Sequence, residues 1–96
     1  AIFFTVICHF GERRVIEQLK ASDVHEALLR WLDLVRREGM GVLSPEVLDE
    51  LEKDILEGFM EPVPCDGVVS VWNCPTVIGD ELLDVVLIAT VRLESA

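Results

Sequence analysis

AIFFTVICHFGERRVIEQLKA, residues 1–21, decides how this chain folds. Bulky apolar residues recur at alternate positions on both sides of the central FGER, the period of a strand with two distinct faces. Gly11-Glu12 forms a two-residue hairpin turn, because glycine at the first central position supplies the positive φ of a II′ geometry. That turn fixes the register. Phe10 then opposes Arg13, Cys8 opposes Val15, Val6 opposes Glu17 and Phe4 opposes Leu19 on one face. His9 opposes Arg14, Ile7 opposes Ile16, Thr5 opposes Gln18 and Phe3 opposes Lys20 on the other. The first face has the greater apolar bulk and is expected to meet the core, and the second is half apolar. The opening residues lack a basic n-region and read as a strand, not as a signal peptide.

After the hairpin the period changes to that of helices. ASDVHEALLRWLDLVRREG (residues 21–39) places Val24, Ala27, Leu28, Trp31, Leu34 and Val35 on one stripe, widened by Leu32, with Leu29 near the opposite side. Ser22 or Asp23 caps its start, Asp23 and Glu26 have capping-box spacing, and Gly39 closes it. A second helix opens at Ser44 with Pro45 in its first turn, buries Val47, Leu48, Leu51 and Ile55, and ends at Gly58. Pro62, Pro64 and Gly67 mark an irregular link. VVSVWN (68–73) and LLDVVLIATVRL (82–93) read as strands, separated by Pro75 and the Gly79-Asp80 turn.

The expected fold is α+β: a four-stranded antiparallel sheet of two hairpins, order ββααββ, with both helices packed on one face. Its 96 residues suit a single domain. A chain of this size buries roughly 60–70% of its unfolded surface, enough for a core without staples. No apolar run reaches the ~18–20 residues that a membrane-spanning helix needs. Three cysteines without a C-x-x-C pair read as reduced thiols, pointing to the cytoplasm.

Charge is segregated along the chain. Residues 1–42 carry six acids and six bases, whereas residues 43–96 carry twelve acids against Lys53 and Arg92, so the whole net charge of −10 resides there. Such a balance disfavours nucleic acid and anionic membrane surfaces as partners, since both demand clustered lysine and arginine. It favours a basic protein surface. On the second helix Glu46, Asp49, Glu50 and Glu57 share a face with Lys53, opposite the apolar stripe. That face is either simply solvated, softened by Asp49–Lys53 and Lys53–Glu57 pairs, or a docking surface. The second face of the sheet adds an apolar set, Ile7, Ile16, Val86 and Ile88, joined by Val69 and Val71. Monomers seldom leave such a patch unused.

Candidate chemistry is sparse. Cys8 and His9 are neighbours on a strand and therefore point to opposite faces, which prevents a nucleophile–base dyad. Cys65 and Cys74 lack the tight spacing of a zinc knuckle, and one of them, beside a loop, could be a reactive thiol. His25 reads as a solvated imidazole, Trp31 as core, and Trp72 as core or interface. Catalytic, cofactor and metal sites are therefore all assigned as none. In size, acidity and α+β character the chain resembles small bacterial immunity proteins, which neutralise basic toxins by covering them; the resemblance is one of composition and organisation and assigns no site residue. The expected function is that of a non-enzymatic protein-interaction module, a homodimer through the second sheet face, a binder of a basic protein, or both. The alternative is a ligand-binding or enzymatic domain whose pocket between helices and sheet draws on Cys65, Asp66, Cys74 or His9.

Overall fold

The computed structural model describes residues 2–38 and 43–90. Strands β1 (Ile2–Phe10) and β2 (Arg13–Ala21) pair antiparallel from Phe10 against Arg13 to Ile2 against Ala21, the register set by a two-residue turn. Gly11 carries φ of 61° and Glu12 does not share the positive region, as a II′ turn requires.

Helix α1 (Val24–Glu38) begins with a reciprocal cap. The Glu26 amide donates to Asp23 Oδ1 at 2.8 Å, and the Glu26 carboxylate accepts the Ser22 amide at 2.9 Å. Helix α2 (Pro45–Glu57) is capped by Ser44, whose hydroxyl accepts the Val47 amide. It ends on left-handed Gly58, φ 83°, which closes the last turn onto Asp54 and Ile55. The Gly39 cap and positions 91–93 of the last strand lie outside the described residues.

Three strands follow the helices: β3 (Val63–Pro64), β4 (Val71–Ile78) and β5 (Glu81–Thr90). Among the described residues the sheet thus has five antiparallel strands, ordered β2-β1-β5-β4-β3, and the chain order is ββααβββ. Four strands in the order ββααββ is therefore corrected. The extra strand is two residues long and ends in proline, so it has no alternation to read; proline is tolerated there because β3 is an edge. The 68–73 segment is also corrected. Val68 and Val69 lie in the exposed loop before β4, and Ser70 adopts a left-handed φ of 61° that breaks the extended run. Pro75, expected to end the strand, sits inside β4. Partner β3 stops at Asn73, so β4 has a free edge at Pro75 and the missing N–H interrupts no shared ladder. Gly79-Asp80 then turns β4 into β5, Gly79 at φ 62°.

Alternation sorts the side chains into two faces. The inner face carries the cross-strand rows Val15–Cys8–Val85–Cys74 and Glu17–Val6–Leu87–Trp72. Phe4, Val6, Cys8, Leu83, Val85 and Leu87 join Ala27, Leu28, Trp31 and Val35 of α1 and Leu48, Leu51 and Ile55 of α2 in one buried cluster. Both helices therefore cover the same face. Trp72 is half-buried against that core, its ring tilted on Phe4 at 6.1 Å. Leu29, expected to point away from the core, is half-buried and packs on it. It lies seven residues before Arg36 on the helix line that reaches α2, since Arg36 grips Asp49 at 2.8 Å and Glu52 at 2.9 Å. Helix α1 is covered on two sides, by the sheet and by α2.

Candidate functional site

Among the described residues, no helix lies over the opposite face of the sheet. Its side chains are set by the same alternation, and the pairing of β1 with β5 brings the two hairpins into one surface. Across its middle run three rows, flanked by Leu82 with Val77 beyond the first and by Lys20, Phe3 and Thr90 beyond the third. Arg14, His9, Asp84 and Pro75 form the first; Ile16, Ile7, Val86, Asn73 and Val63 the second; Gln18, Thr5, Ile88 and Val71 the third. All four residues of the expected apolar face, Ile7, Ile16, Val86 and Ile88, thus fall in two adjacent rows on three neighbouring strands. Ile16 is 55% exposed on the edge strand, whereas Ile7, Val86 and Ile88 are half-buried between their neighbours. Val69, grouped with this face in the sequence, stands instead in the loop at 87% exposure.

The first two rows enclose a shallow concavity of about 260 Å³, with Ile7, Ile16 and Val86 as its floor and Arg14, His9 and Asp84 along one side. Asp84 is held in place by the Asn73 side-chain amide, which donates to Asp84 Oδ1. Gln18 donates to the Thr5 hydroxyl at 3.1 Å, and Thr90 donates to the Phe3 carbonyl at 3.0 Å. These bonds satisfy polar groups within the face and leave its apolar rows free to be covered. Arg14 makes no ion pair among the described residues. The neighbourhood of His9 and Arg14 follows from the first hairpin's register. The place of Asp84 beside them needed the β1–β5 pairing, for which the sequence holds no local turn signal.

The acidic face of α2 divides in two. Glu46, Glu50 and Glu57 are exposed. Asp49 is bound internally by Arg36, together with Glu52, and the Asp49 bond is the main reason the guanidinium is held above its ordinary range. The acid that helical spacing assigns to Lys53 is thus taken by the neighbouring helix.

The cysteines and histidines do not converge. Cys8 and Cys74 lie on the inner face, separated by Val85 and fully buried. Burial, reinforced by the negative charge of Asp84, pushes both thiols up to about 11. His9 is on the outer face, and Cys65 and Asp66 are in the β3–β4 connection, where the Cys65 amide donates to the Val71 carbonyl. The pocket expected from Cys65, Asp66, Cys74 and His9 therefore has no common wall. A cleft of about 200 Å³ does lie between α2 and the end of β4, lined by Glu50, Asp54 and Thr76 among apolar neighbours, without a cysteine or histidine. Among the described residues, no three of the His, Cys, Asp and Glu side chains group as a metal site would require. No helix there is long and apolar enough to cross a membrane.

Compared with protein-family models, characterised proteins and solved structures, the chain matches none.

Proposed function

We propose that this chain is a non-enzymatic protein-interaction module that binds through the open face of its sheet, with a second copy as the first partner. The observation that carries this reading is the pair of rows formed by Ile16, Ile7 and Val86 and by Ile88 and Val71, apolar side chains on adjacent strands with no helix of the described residues over them. Singly exposed apolar residues are ordinary on a protein surface, whereas a contiguous set marks an interaction site. The acidic half has a separate role in this reading: Glu46, Glu50 and Glu57 are free to meet a basic protein, while Asp49 is engaged by Arg36.

Molar mass measured by light scattering across a concentration series, at low and high salt, tests the first part. A dimer that persists at high salt is expected, because apolar burial is not screened. A monomer at every concentration would overturn it. For the acidic half, polylysine binding should fall with salt and on Glu46→Lys combined with Glu50→Lys. Binding that ignores both would remove that role.

A further inference from the structure

The open face has a charge pattern that is complementary to itself. Strand β1, second from the edge, carries His9, and in the same row its two neighbours carry opposite charges, Arg14 on β2 and Asp84 on β5. We infer that two copies pack these faces together about a two-fold axis running along β1, so that Arg14 of each copy meets the partner's Asp84. This rests on the reading of the face as a self-association surface, and specifies its geometry.

The pairing follows from symmetry. A two-fold axis along a strand, lying between two stacked sheets, exchanges the strands on either side of it and returns the axial strand to itself. With β1 on the axis, β2 lies over the partner's β5. Arg14 then faces Asp84, Ile16 faces Val86 and Ile7 faces its own equivalent, and the first two contacts occur twice. Stacked sheets stand ~10 Å apart, a gap that an extended arginine and a short aspartate fill together. Aligned sheets cross at about 30°, which displaces the Arg14 row by a few ångströms relative to the axis, within the reach of a long flexible side chain. Asp84 is positioned for the role: Asn73 occupies Oδ1 and leaves Oδ2 to accept.

Neighbouring placements leave charges stranded. An axis along β5 would set Asp84 against Asp84. An axis midway between β1 and β5 would set Arg14 over Pro75. An axis along the Ile16–Ile7–Val86 row would press Asp84 onto Ile88. A charge buried without a partner is costly, so each is disfavoured relative to the axis on β1. The choice of a second copy as occupant has the same origin. On the described strands this face bears Arg14, Lys20 and Asp84, a formal charge of +1, while the chain as a whole carries −10. Two such chains approach with least repulsion through this side.

Charge reversal in pairs tests the axis. Arg14→Glu and Asp84→Arg should each weaken self-association at least about tenfold, since each places two like-charge contacts in the interface. Mixed in equal amounts, the two variants should form a heterodimer. In it the introduced glutamate of one chain faces the introduced arginine of the other, the native Arg14–Asp84 contact forms once, and both are attractive. Sedimentation velocity reads the masses, with circular dichroism confirming that each variant is folded. If Asp84→Arg does not fold, Asp84→Asn replaces it, and a heterodimer with Arg14→Glu is still expected. A dimeric native protein whose variants associate as tightly as it does, with no preference on mixing, would overturn the β1 axis and leave self-association standing. A native protein that is monomeric throughout would overturn both.

Discussion

At pH 8 the three thiols of the native chain should separate widely in their rate of reaction with a disulfide reagent. Cys8 is 0% and Cys74 1% exposed, and burial moves both from an ordinary 9.0 to about 11. The ionised fraction of each is then about a hundredfold below that of an ordinary thiol. The higher basicity returns roughly a factor of ten in nucleophilicity, leaving about tenfold from ionisation alone. Access sets the larger part. A sulfur with no exposed surface reacts only after the fold opens, and a stability of even ~5 kcal/mol keeps the open population near one in 5,000. Cys65, only partly covered in the β3–β4 connection, is not so protected. One thiol per chain should therefore react quickly and two at least about a thousandfold more slowly, all three becoming equally fast in denaturant. Absorbance from a chromogenic disulfide, followed in native buffer and in guanidinium, measures this directly. Two or three fast thiols in native buffer would refute the inner-face assignment of Cys8 and Cys74, and with it the register that sets the outer face.

The two sheet faces should respond oppositely to truncation. Leu87→Ala, in the middle of the inner face, should cost about 2–5 kcal/mol in urea unfolding. Ile16→Ala, already 55% exposed, should cost below about 1 kcal/mol yet weaken self-association. Equal losses at the two sites would contradict the division into faces. Gly11→Ala and Gly79→Ala each force a side chain into the left-handed region at about 1–2 kcal/mol. The two should cost similar amounts in thermal melts, because the Glu81 Oε2 that would lie 2.7 Å from the new Cβ at position 11 is the tip of an exposed side chain and can swing aside, and that of Gly79 meets nothing within 4 Å; a much larger loss at position 11 would mean that Glu81 is held in place. Glu17 is held above its usual carboxylate range by burial and then by Glu38. Its folded state thus keeps the proton more tightly than the unfolded chain, so its favourable contribution is present at acid pH and is lost as pH rises through the raised value. Glu17→Gln should raise the melting temperature at pH 7 and flatten its fall above about pH 4.5; an unchanged pH profile would count against the Glu17–Glu38 contact.

How legible the molecule was depends on whether a local signal existed. The first hairpin was legible to the residue, because a two-residue turn at Gly11 leaves one register and alternation leaves one choice of inner face. Both helices were legible from their stripes and N-terminal caps, and α2 also from Gly58 at its end, although Leu29 packs on the core from outside the stripe read for α1. What could not be read locally is what two distant segments do to each other. Pro75 carries a breaker signal, yet it is harmless once β3 ends at Asn73 and leaves that edge free. Val68 and Val69 have the composition of a strand, yet Ser70 at positive φ places them in a loop. Asp49 has an i+4 lysine, yet Arg36 of α1 takes it because helix packing brings a planar two-donor group within reach of Asp49 and Glu52 together. The candidate site divides in the same way. Ile7, Ile16, Val86 and Ile88 follow from alternation within each hairpin, but the row Arg14–His9–Asp84 exists only because β1 pairs with β5.

That same central pairing bears on how an acidic chain could associate with itself. Helix α2 carries six carboxylates against Lys53, and it lies on the side of the sheet opposite the open face. Face-to-face packing of two sheets places both α2 helices outward. With ~10 Å between successive layers, the two acidic surfaces stand about 30 Å or more apart. At physiological ionic strength the Debye length is about 8 Å, so repulsion between those surfaces is largely screened and contributes little against the dimer. Association through the helices would instead bring the carboxylates together. In the proposed dimer the segregation of charge favours the sheet face for a second copy and would leave Glu46, Glu50 and Glu57 displayed on both outer surfaces. It also separates the two interactions by their salt response. Self-association through buried rows of isoleucine and valine should change little between low and high salt, whereas capture of a basic protein by the outer helices should weaken steeply. A dimer that dissociates on adding salt would mean that the ion pairs, and not the apolar rows, hold it.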